Sequence, residues 1–304
     1  MPTRLAAPPV SSCFHGALGL LLLPLVVALS TTELAAAGKR SSRIGRNPAA
    51  EMRPGTPMER ELARRLTRVP EDEAGLIRLP LRIVVARGLT LHKKGIPMND
   101  WITDDAICQQ VIPELNRIWK PARIEWTVES LIGHPISPTV QEERRDGLQR
   151  IMNSRRDENG RSDPARVPLI KAFFDPDHEH PVAQTVHLFP YLGTTSQGFA
   201  AGGGLWAYLG IWTDKPSRGA RPPRRTLLTE DPPMKIGSLG RTLAHELGHN
   251  LGLSHPAQNA RPTGRLMGGR RQGYLLTPEE IAAARSNALN KARRIMKWSN
   301  PQDH

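Results

Sequence analysis

The sequence predicts an α+β domain, and three observations predict it. Segments typical of strands and of helices alternate between about residues 76 and 212. Further along, a helix with a capping residue begins after Ser238, and another begins after Thr277. The chain is also rich in turn formers, with 26 Gly and 28 Pro among its 304 residues. We therefore expect strands and helices first, and then mostly loop with one final helix.

The strands are predicted from their apolar pattern. Leu76–Gly88 is rich in β-branched residues and bounded by glycine, which is typical of a strand. Arg123–Glu129 alternates, with Ile124, Trp126 and Val128 on one face, and this predicts a half-buried strand. Further strand candidates are Val167–Phe174, Thr185–Leu192 and the glycine-rich stretch Gly198–Trp212.

The helices are predicted from apolar spacing and from capping residues. Trp101–Trp119 has helical spacing, and Pro113 is expected to kink or split that helix near Ile112. A basic, weakly amphipathic helix is expected between residues 139 and 155. Ser238 is expected to cap a helix that runs to about residue 251. The last helix begins at the capping box Thr277-Pro278-Glu279-Glu280, with proline at its first position.

The N-terminal quarter of the chain predicts export. Arg4 precedes a short apolar stretch, and Ala35-Ala36-Ala37 offers a cleavage site, so residues 1–37 are predicted to be a secretory signal peptide. An uncleaved anchor is the alternative, although the stretch is short for a membrane span. Residues 38–75 are predicted to be a basic linker or a short pro-segment, and residues 76–304 the catalytic domain. The predicted localisation is secreted or periplasmic.

The formal net charge of +13 favours anionic partners or surfaces. Aromatic residues are not interleaved with the basic runs, so we do not expect nucleic acid as the main partner. Electrostatic contact with an anionic cell surface is the partner class that the charge itself suggests. With only two Cys in the chain, a disulfide scaffold is excluded.

The segment HELGHNLGLSH carries the chemistry. His245 and His249 are four residues apart, so on a helix both imidazoles face one ion. Glu246 follows the first ligand directly and lies beside the metal without binding it. Gly252 tolerates the left-handed backbone that ends a helix, which brings His255 back as a third ligand. Three histidines leave one position of a tetrahedral Zn²⁺ open, as is typical of catalytic zinc.

The five fixed residues of H-E-x-x-H-x-x-G-x-x-H make this signal specific. With the composition of this chain, roughly 5 × 10⁻⁵ occurrences are expected by chance. A zinc ion in such a site makes hydroxide available near neutral pH and polarises the scissile carbonyl. Glu246 is expected to accept the proton of the attacking water and to pass it to the leaving amine.

These residues resemble the extended zinc motif of the metzincin metalloproteases, most closely its adamalysin/reprolysin and matrixin branches. The resemblance implies a metzincin-like fold: a mixed twisted sheet with two long helices, the zinc helix, and a loop-rich C-terminal subdomain that ends in a helix. It also implies a methionine turn at Arg265–Gly269, with Met267 as an apolar floor under the histidines. An extended peptide substrate is expected to pair with an edge strand, for which Gln197–Leu205 is the candidate. The residues that set peptide specificity are not identified.

The sequence departs from single branches of that family. Adamalysins usually carry Asp after the third histidine, where this chain has Pro256. The astacin and serralysin branch has a tyrosine two residues after the methionine, where this chain has Gly269. The branch of the family is therefore left open.

A second cluster, Asp175–His180, contains two Asp, two His and one Glu. Its spacing matches no defensible metal site, so one catalytic zinc is expected and a second structural metal is not. The leading hypothesis is thus a secreted zinc endopeptidase that acts on protein or peptide substrates. The alternatives are a non-catalytic zinc-binding adhesin or pseudoenzyme, and a basic module that binds anionic envelope polymers.

Overall fold

A five-stranded, mostly parallel sheet lies at the centre of the computed structural model. The structure describes residues 55–72, 74–153, 163, 165–193, 197–200, 202–214, 222–230, 237–256, 264–268 and 273–300. These residues belong to one unit that spans residues 53–304. The predicted signal peptide, residues 1–37, lies outside the described residues.

The strands are β1 (Ile77–Arg87), β2 (Leu91–Lys93), β3 (Ile96–Met98), β4 (Ile124–Pro135), β5 (Gln184–Phe189), β6 (Gly198–Ala200), β7 (Trp206–Gly210), β8 (Trp212–Thr213) and β9 (Arg224–Arg225). The helices are α1 (Pro57–Leu66), α2 (Asp104–Ala106), α3 (Ile112–Trp119), α4 (Pro138–Glu143), α5 (Arg145–Asn153), α6 (Arg166–Lys171), α7 (Leu239–Asn250) and α8 (Pro278–Ser299). Among these described helices, none is long and apolar enough to cross a bilayer.

The strand order in the central sheet is β4-β1-β5-β7-β6. Strand β1 pairs in parallel with β4 and β5, and β5 pairs in parallel with β7. Strand β6 is antiparallel to β7 and forms one edge of the sheet. The predicted α+β class is therefore confirmed at the level of a mixed sheet with several helices. Strand β1 is buried along almost its whole length, as expected for a strand covered on both faces.

Helix α1 was not predicted, because it falls in the segment assigned to a linker or pro-segment. Thr56 caps it, and the side chain of Glu59 closes a capping box on the backbone N–H of Thr56. Gly55 lies close to the ring of Trp298, so that a side chain at residue 55 would collide with that ring. A linker or pro-segment at residues 38–75 stays a prediction, but residues 57–66 of that segment form a packed helix.

The helix predicted between Trp101 and Trp119 is interrupted at the expected place. A π-helical turn, Ile107–Val111, separates α2 from α3. Pro113 occupies the first turn of α3, where its missing N–H removes a hydrogen bond from the helical ladder. The π turn keeps a backbone hydrogen bond next to this gap, because the N–H of Ile112 donates to the carbonyl of Ile107.

Three other predictions need correction or adjustment. The predicted strand Val167–Phe174 is wrong, since this segment contains helix α6. The predicted helix 139–155 is divided into α4 and α5 at Arg144. The strand predicted at Arg123–Glu129 is β4, which continues to Pro135.

The last two helices begin where their capping residues predicted. Ser238 accepts a hydrogen bond from the N–H of Arg241 at the start of α7. Thr277 and Glu280 close a capping box at the start of α8. The buried stripe of α8 consists of Ala284, Ala288, Ala292 and Ile295.

Candidate metal centre

Three histidine side chains converge at the end of α7. His245 and His249 lie one turn apart on this helix. Gly252 then adopts a φ of 81°, and this left-handed residue turns the chain back as predicted. As a result, Nε2 of His255 lies 2.9 Å from Nε2 of His245 and 3.2 Å from Nε2 of His249.

Backbone carbonyls fix the orientation of the two helical imidazoles. Nδ1 of His245 lies 2.7 Å from the carbonyl oxygen of Leu266, and Nδ1 of His249 lies 2.8 Å from that of Leu253. Because a carbonyl oxygen only accepts, each Nδ1 must carry the proton, and each Nε2 is left with its lone pair. Such a second hydrogen bond is the usual way in which proteins orient histidine ligands.

Burial keeps these imidazoles neutral, which is the form that binds metal. It lowers the pKa of His245 well below its usual value, and the charge of Arg241 lowers it further. Burial also lowers the pKa of His249, while its hydrogen bond to Leu253 acts in the opposite direction. Protons therefore compete weakly with a metal for these two nitrogens near neutral pH.

The three nitrogens fit a single metal ion. All candidate ligand atoms of the trio lie within 4.8 Å of one another. Zn–N bonds of about 2.0–2.1 Å in a tetrahedral site place two nitrogens about 3.3–3.4 Å apart. The separations of 2.9 and 3.2 Å are close to that value. The histidines can therefore hold one ion, and imidazole ligands suit several divalent transition metals.

Glu246 directly follows His245 on α7 and is only 5% exposed. Strand β6 passes close to it, because a Cβ atom at Gly198 would lie 2.8 Å from Oε1 of Glu246. Only a glycine permits this approach without displacing the carboxylate. Strand β6 occupies part of the stretch Gln197–Leu205 that the sequence proposed for substrate pairing.

The glycine bend after β6 contacts the end of α7. The N–H of Gly203 donates to the carbonyl of His249 over 2.9 Å, which satisfies one of the last carbonyls of the helix. Lys291 of α8 in turn donates to the carbonyl of Gly204 over 3.0 Å. The edge strand and the histidine-bearing helix α7 are thus held together.

Met267 is buried directly against α7. A Cβ atom at Gly248, which lies between the two helical histidines in sequence, would be 2.8 Å from Sδ of Met267. The structure therefore places this methionine next to the histidine-bearing helix, where the sequence expected an apolar floor. Gly269, at the end of the expected methionine turn, lies outside the described residues.

Two charged residues that support the site were missed by the sequence analysis. Arg241 is one turn before His245 and only 7% exposed, with its guanidinium bound to the carbonyls of Leu266 and Gly273. Burial lowers the pKa of Arg241 to about 10, so it remains a cation at neutral pH. A single sequence signal was available, namely an arginine four residues before the predicted metal ligand His245 on the same helix.

The second missed residue is Glu114, which connects α3 to the start of α7. It accepts hydrogen bonds from Oγ of Ser238 over 2.5 Å and from the N–H of Glu230 over 3.2 Å. Burial raises the pKa of Glu114, while these hydrogen bonds act in the opposite direction. A carboxylate at this position is also favourable to the N-terminal dipole of α7.

The acidic and histidine-rich cluster at residues 175–180 is used in local turns. Asp175 accepts from the N–H of Asp177, and Nδ1 of His180 accepts from the N–H groups of Val182 and Ala183. Within the described ranges, the one group of three or more converging ligands is the histidine trio. That a second metal is absent stays a prediction.

Comparisons with known proteins do not assign a family. No family model matches the chain, and no curated protein matches it. Among solved structures, the chain is similar to one from "Structure of a chaperone-substrate complex", with 14% identity and a TM-score of 0.37. The similarity covers 71% of this chain and 34% of that one, so this chain spans about a third of its length. A likeness at this level adds nothing to the assignment of fold or function.

Proposed function

We propose that the protein is a zinc-dependent endopeptidase in which His245, His249 and His255 hold the metal and Glu246 is the general base. The observation that carries this proposal is the convergence of three imidazole nitrogens at α7, which also carries the buried Glu246 directly after the first of these histidines. Structural zinc sites are closed by four protein ligands, whereas catalytic sites keep one position for water. In the described part of the chain, the converging group has three members.

The proposal includes membership of the metzincin class. It is supported by the full motif from His245 to His255, by the left-handed Gly252 and by Met267 against the ligand helix. A mixed sheet with an antiparallel edge strand next to the site agrees with it. The branch of that class stays open.

The residues of this chain have distinct parts in the proposed reaction. A zinc ion held by the trio would supply an activated water and would polarise the scissile carbonyl. Glu246 accepts the proton of that water and later donates it to the leaving amine. The outer edge of β6 offers backbone groups with which an extended peptide can pair, next to Gly198.

The proposed setting is outside the cell or in the periplasm, with a protein or peptide as substrate. It rests on the predicted signal peptide at residues 1–37. The charge of +13 supports an additional electrostatic contact with an anionic cell surface.

The proposed function is tested by digestion of a peptide library with the full chain, with and without a metal chelator. Glu246→Gln is expected to retain one zinc per chain and to lower kcat by about 10²–10⁴-fold, the usual contribution of general acid–base catalysis. Glu279→Gln is the matched control, because this carboxylate is exposed at the start of α8. It should leave both zinc content and kcat unchanged.

Other results would contradict the proposal in different ways. Equal rates for wild type and Glu246→Gln would show that Glu246 is not the base. A wild-type chain that binds zinc but cleaves no peptide would favour a non-catalytic zinc-binding protein instead.

A further inference from the structure

We propose that Arg241 is a positioning residue of the metal centre, which fixes His245 through the carbonyl of Leu266. The carbonyl oxygen of Leu266 faces two donors at once. It lies 2.7 Å from the guanidinium of Arg241 and 2.7 Å from Nδ1 of His245. The orientation of the imidazole therefore depends on a backbone group whose position Arg241 controls.

Arg241 holds that carbonyl by joining two stretches of chain beyond the metal ligands. Its Nε donates to the carbonyl of Gly273 over 3.0 Å, in addition to the contact with Leu266. The same two stretches are also paired by the backbone, since the N–H of Leu266 donates to the carbonyl of Leu275. This backbone bond restrains the N–H side of Leu266, whereas Arg241 restrains its carbonyl side.

The geometry of the guanidinium suits this task. Its donors lie in a rigid planar fork, so that two carbonyls from separate segments can be bound together. A lysine at the same position presents a point charge on a flexible stem and cannot bind the two carbonyls in the same fixed geometry. Arg241 is also on α7 itself, one turn before His245, so the same helix supplies the metal ligand and the group that orients it.

The inference rests on the metal-binding half of the proposed function and not on peptide hydrolysis. Groups that orient a metal ligand typically affect metal affinity by 10–100-fold. A residue that only stabilises the fold would not change the affinity of the folded protein. Metal affinity therefore separates a positioning role from a purely structural one.

The test measures Zn²⁺ affinity of the folded full chain by competition with a chromophoric chelator. We expect Arg241→Met to bind Zn²⁺ about 10–100-fold more weakly than wild type. Arg241→Lys should show a smaller loss, because one of the two carbonyls can still be bound. The absorption spectrum of the Co²⁺-loaded protein should shift in Arg241→Met, since the orientation of one ligand changes.

Arg285 provides the matched control. It also donates to two backbone carbonyls, that of Ala122 over 2.6 Å and that of Gly75 over 2.9 Å. Among the residues that the structure describes, neither carbonyl accepts a hydrogen bond from a proposed metal ligand. Arg285→Met should lower stability but keep Zn²⁺ affinity within about twofold of wild type, since no ligand-orienting bond is lost.

Several outcomes would overturn the inference. Wild-type affinity in Arg241→Met, an unchanged Co²⁺ spectrum, or equal losses in Arg241→Met and Arg285→Met would each do so. If Arg241→Met fails to fold, Arg241→Lys decides, and wild-type affinity in that variant overturns the inference. A wild-type chain that binds Zn²⁺ without cleaving peptides contradicts the proposed function alone, whereas one that binds neither Zn²⁺ nor Co²⁺ contradicts both.

Discussion

The two faces of the central sheet bury histidines in different surroundings. On the face covered by α7, His245 and His249 direct Nδ1 to backbone carbonyls and Nε2 to a common point. On the other face, His187 of β5 is 0% exposed and packs between aromatic rings. Its ring lies 4.5 Å from that of Phe174 and 4.7 Å from that of Tyr208, between centroids.

Strand alternation explains why these histidines are separated. Gln184, at the start of β5, accepts a hydrogen bond from Asn250 of α7 and therefore faces that helix. His187 is three residues further along the strand, so its side chain points to the opposite face of the sheet.

Burial alone does not distinguish His187 from the histidines that could hold a metal. Burial lowers the pKa of His187 to about 3, and it lowers the pKa of His245 and His249 as well. All three imidazoles are therefore neutral near pH 7. The α7 face differs because carbonyls fix the tautomers and because a turn at Gly252 brings a third ring nitrogen to the same point.

The largest effect is expected from removing one imidazole from each face. His249→Ala should weaken Zn²⁺ binding by more than the 10–100-fold that loss of an orienting hydrogen bond costs, because a ligand itself is lost. His187→Leu should leave Zn²⁺ affinity unchanged. Chelator competition on both variants measures this difference, and a comparable loss of affinity in His187→Leu would show that the two faces are not independent.

A smaller effect is expected on the stability of the fold when the pH is lowered, because His187 is buried in its neutral form. An unfolded histidine has a pKa of about 6.5, whereas the folded value for His187 is about 3. The unfolded chain thus binds more protons between these values, so this stability is present above pH 6.5 and is lost as pH falls toward 3. From pH 7 to pH 4.5 the loss is about 2–3 kcal/mol.

This loss is measured by urea unfolding of wild type and of His187→Leu at the two pH values, in the presence of chelator. The difference in unfolding free energy between the two proteins should change by that amount. If the difference in unfolding free energy between the two proteins does not vary with pH, protonation of His187 is not coupled to unfolding.

The third prediction concerns β6, whose successive residues point to opposite faces of the sheet. Phe199 stacks on Tyr208 at 5.1 Å, whereas Gly198 faces Glu246 and Thr242. Gly198→Ala would place Cβ within 2.9 Å of these two side chains, so we expect a destabilisation of about 1–3 kcal/mol together with a lower kcat.

The control for this variant is Gly202→Ala. No atom lies within 4 Å of a Cβ at residue 202, which follows β6, so stability should not change. Thermal unfolding and peptide cleavage rates compare the two substitutions. Equal effects of both would mean that the close approach of β6 to Glu246 is unimportant.

Much of the site was predictable because its signals are local. The four-residue spacing of two histidines, a glycine three residues later and a third histidine define the trio without reference to the rest of the chain. The start of α8 was equally local, since its capping box is formed by Thr277 and Glu280. Helix α1 carries the same signal, with Thr56, Pro57 and Glu59, but the basic and proline-rich composition around it favoured a linker instead.

The wrong strand at residues 167–174 has a similar origin. Its β-branched and aromatic residues favoured a strand, yet the buried positions are Arg166, Ile170, Phe173 and Phe174, which are spaced as on a helix. Proline at residue 168 lies in the first turn of α6, where it is tolerated. Periodicity was the better guide than composition in this segment.

The supporting bonds of the site could not be predicted from local patterns. The carbonyl that orients His245 belongs to Leu266, which is 21 residues further along the chain. The carboxylate that binds Ser238 belongs to Glu114, which is 124 residues earlier. Any residue has a carbonyl, and many have a carboxylate, so only the folded chain selects these partners.

The position of β1 in the sheet bears on the rate of folding. Residue 77 lies opposite residue 124, and residue 81 lies opposite residue 184, both in parallel pairs. Parallel neighbours cannot be joined by a hairpin, and pairing across long loops is slow because the entropy of closure is lost before contacts form. The three converging histidines, His245, His249 and His255, are in contrast brought together within eleven residues of chain. Long-range strand pairing is therefore expected to limit how fast the chain folds, whereas a short local segment supplies all three candidate metal ligands.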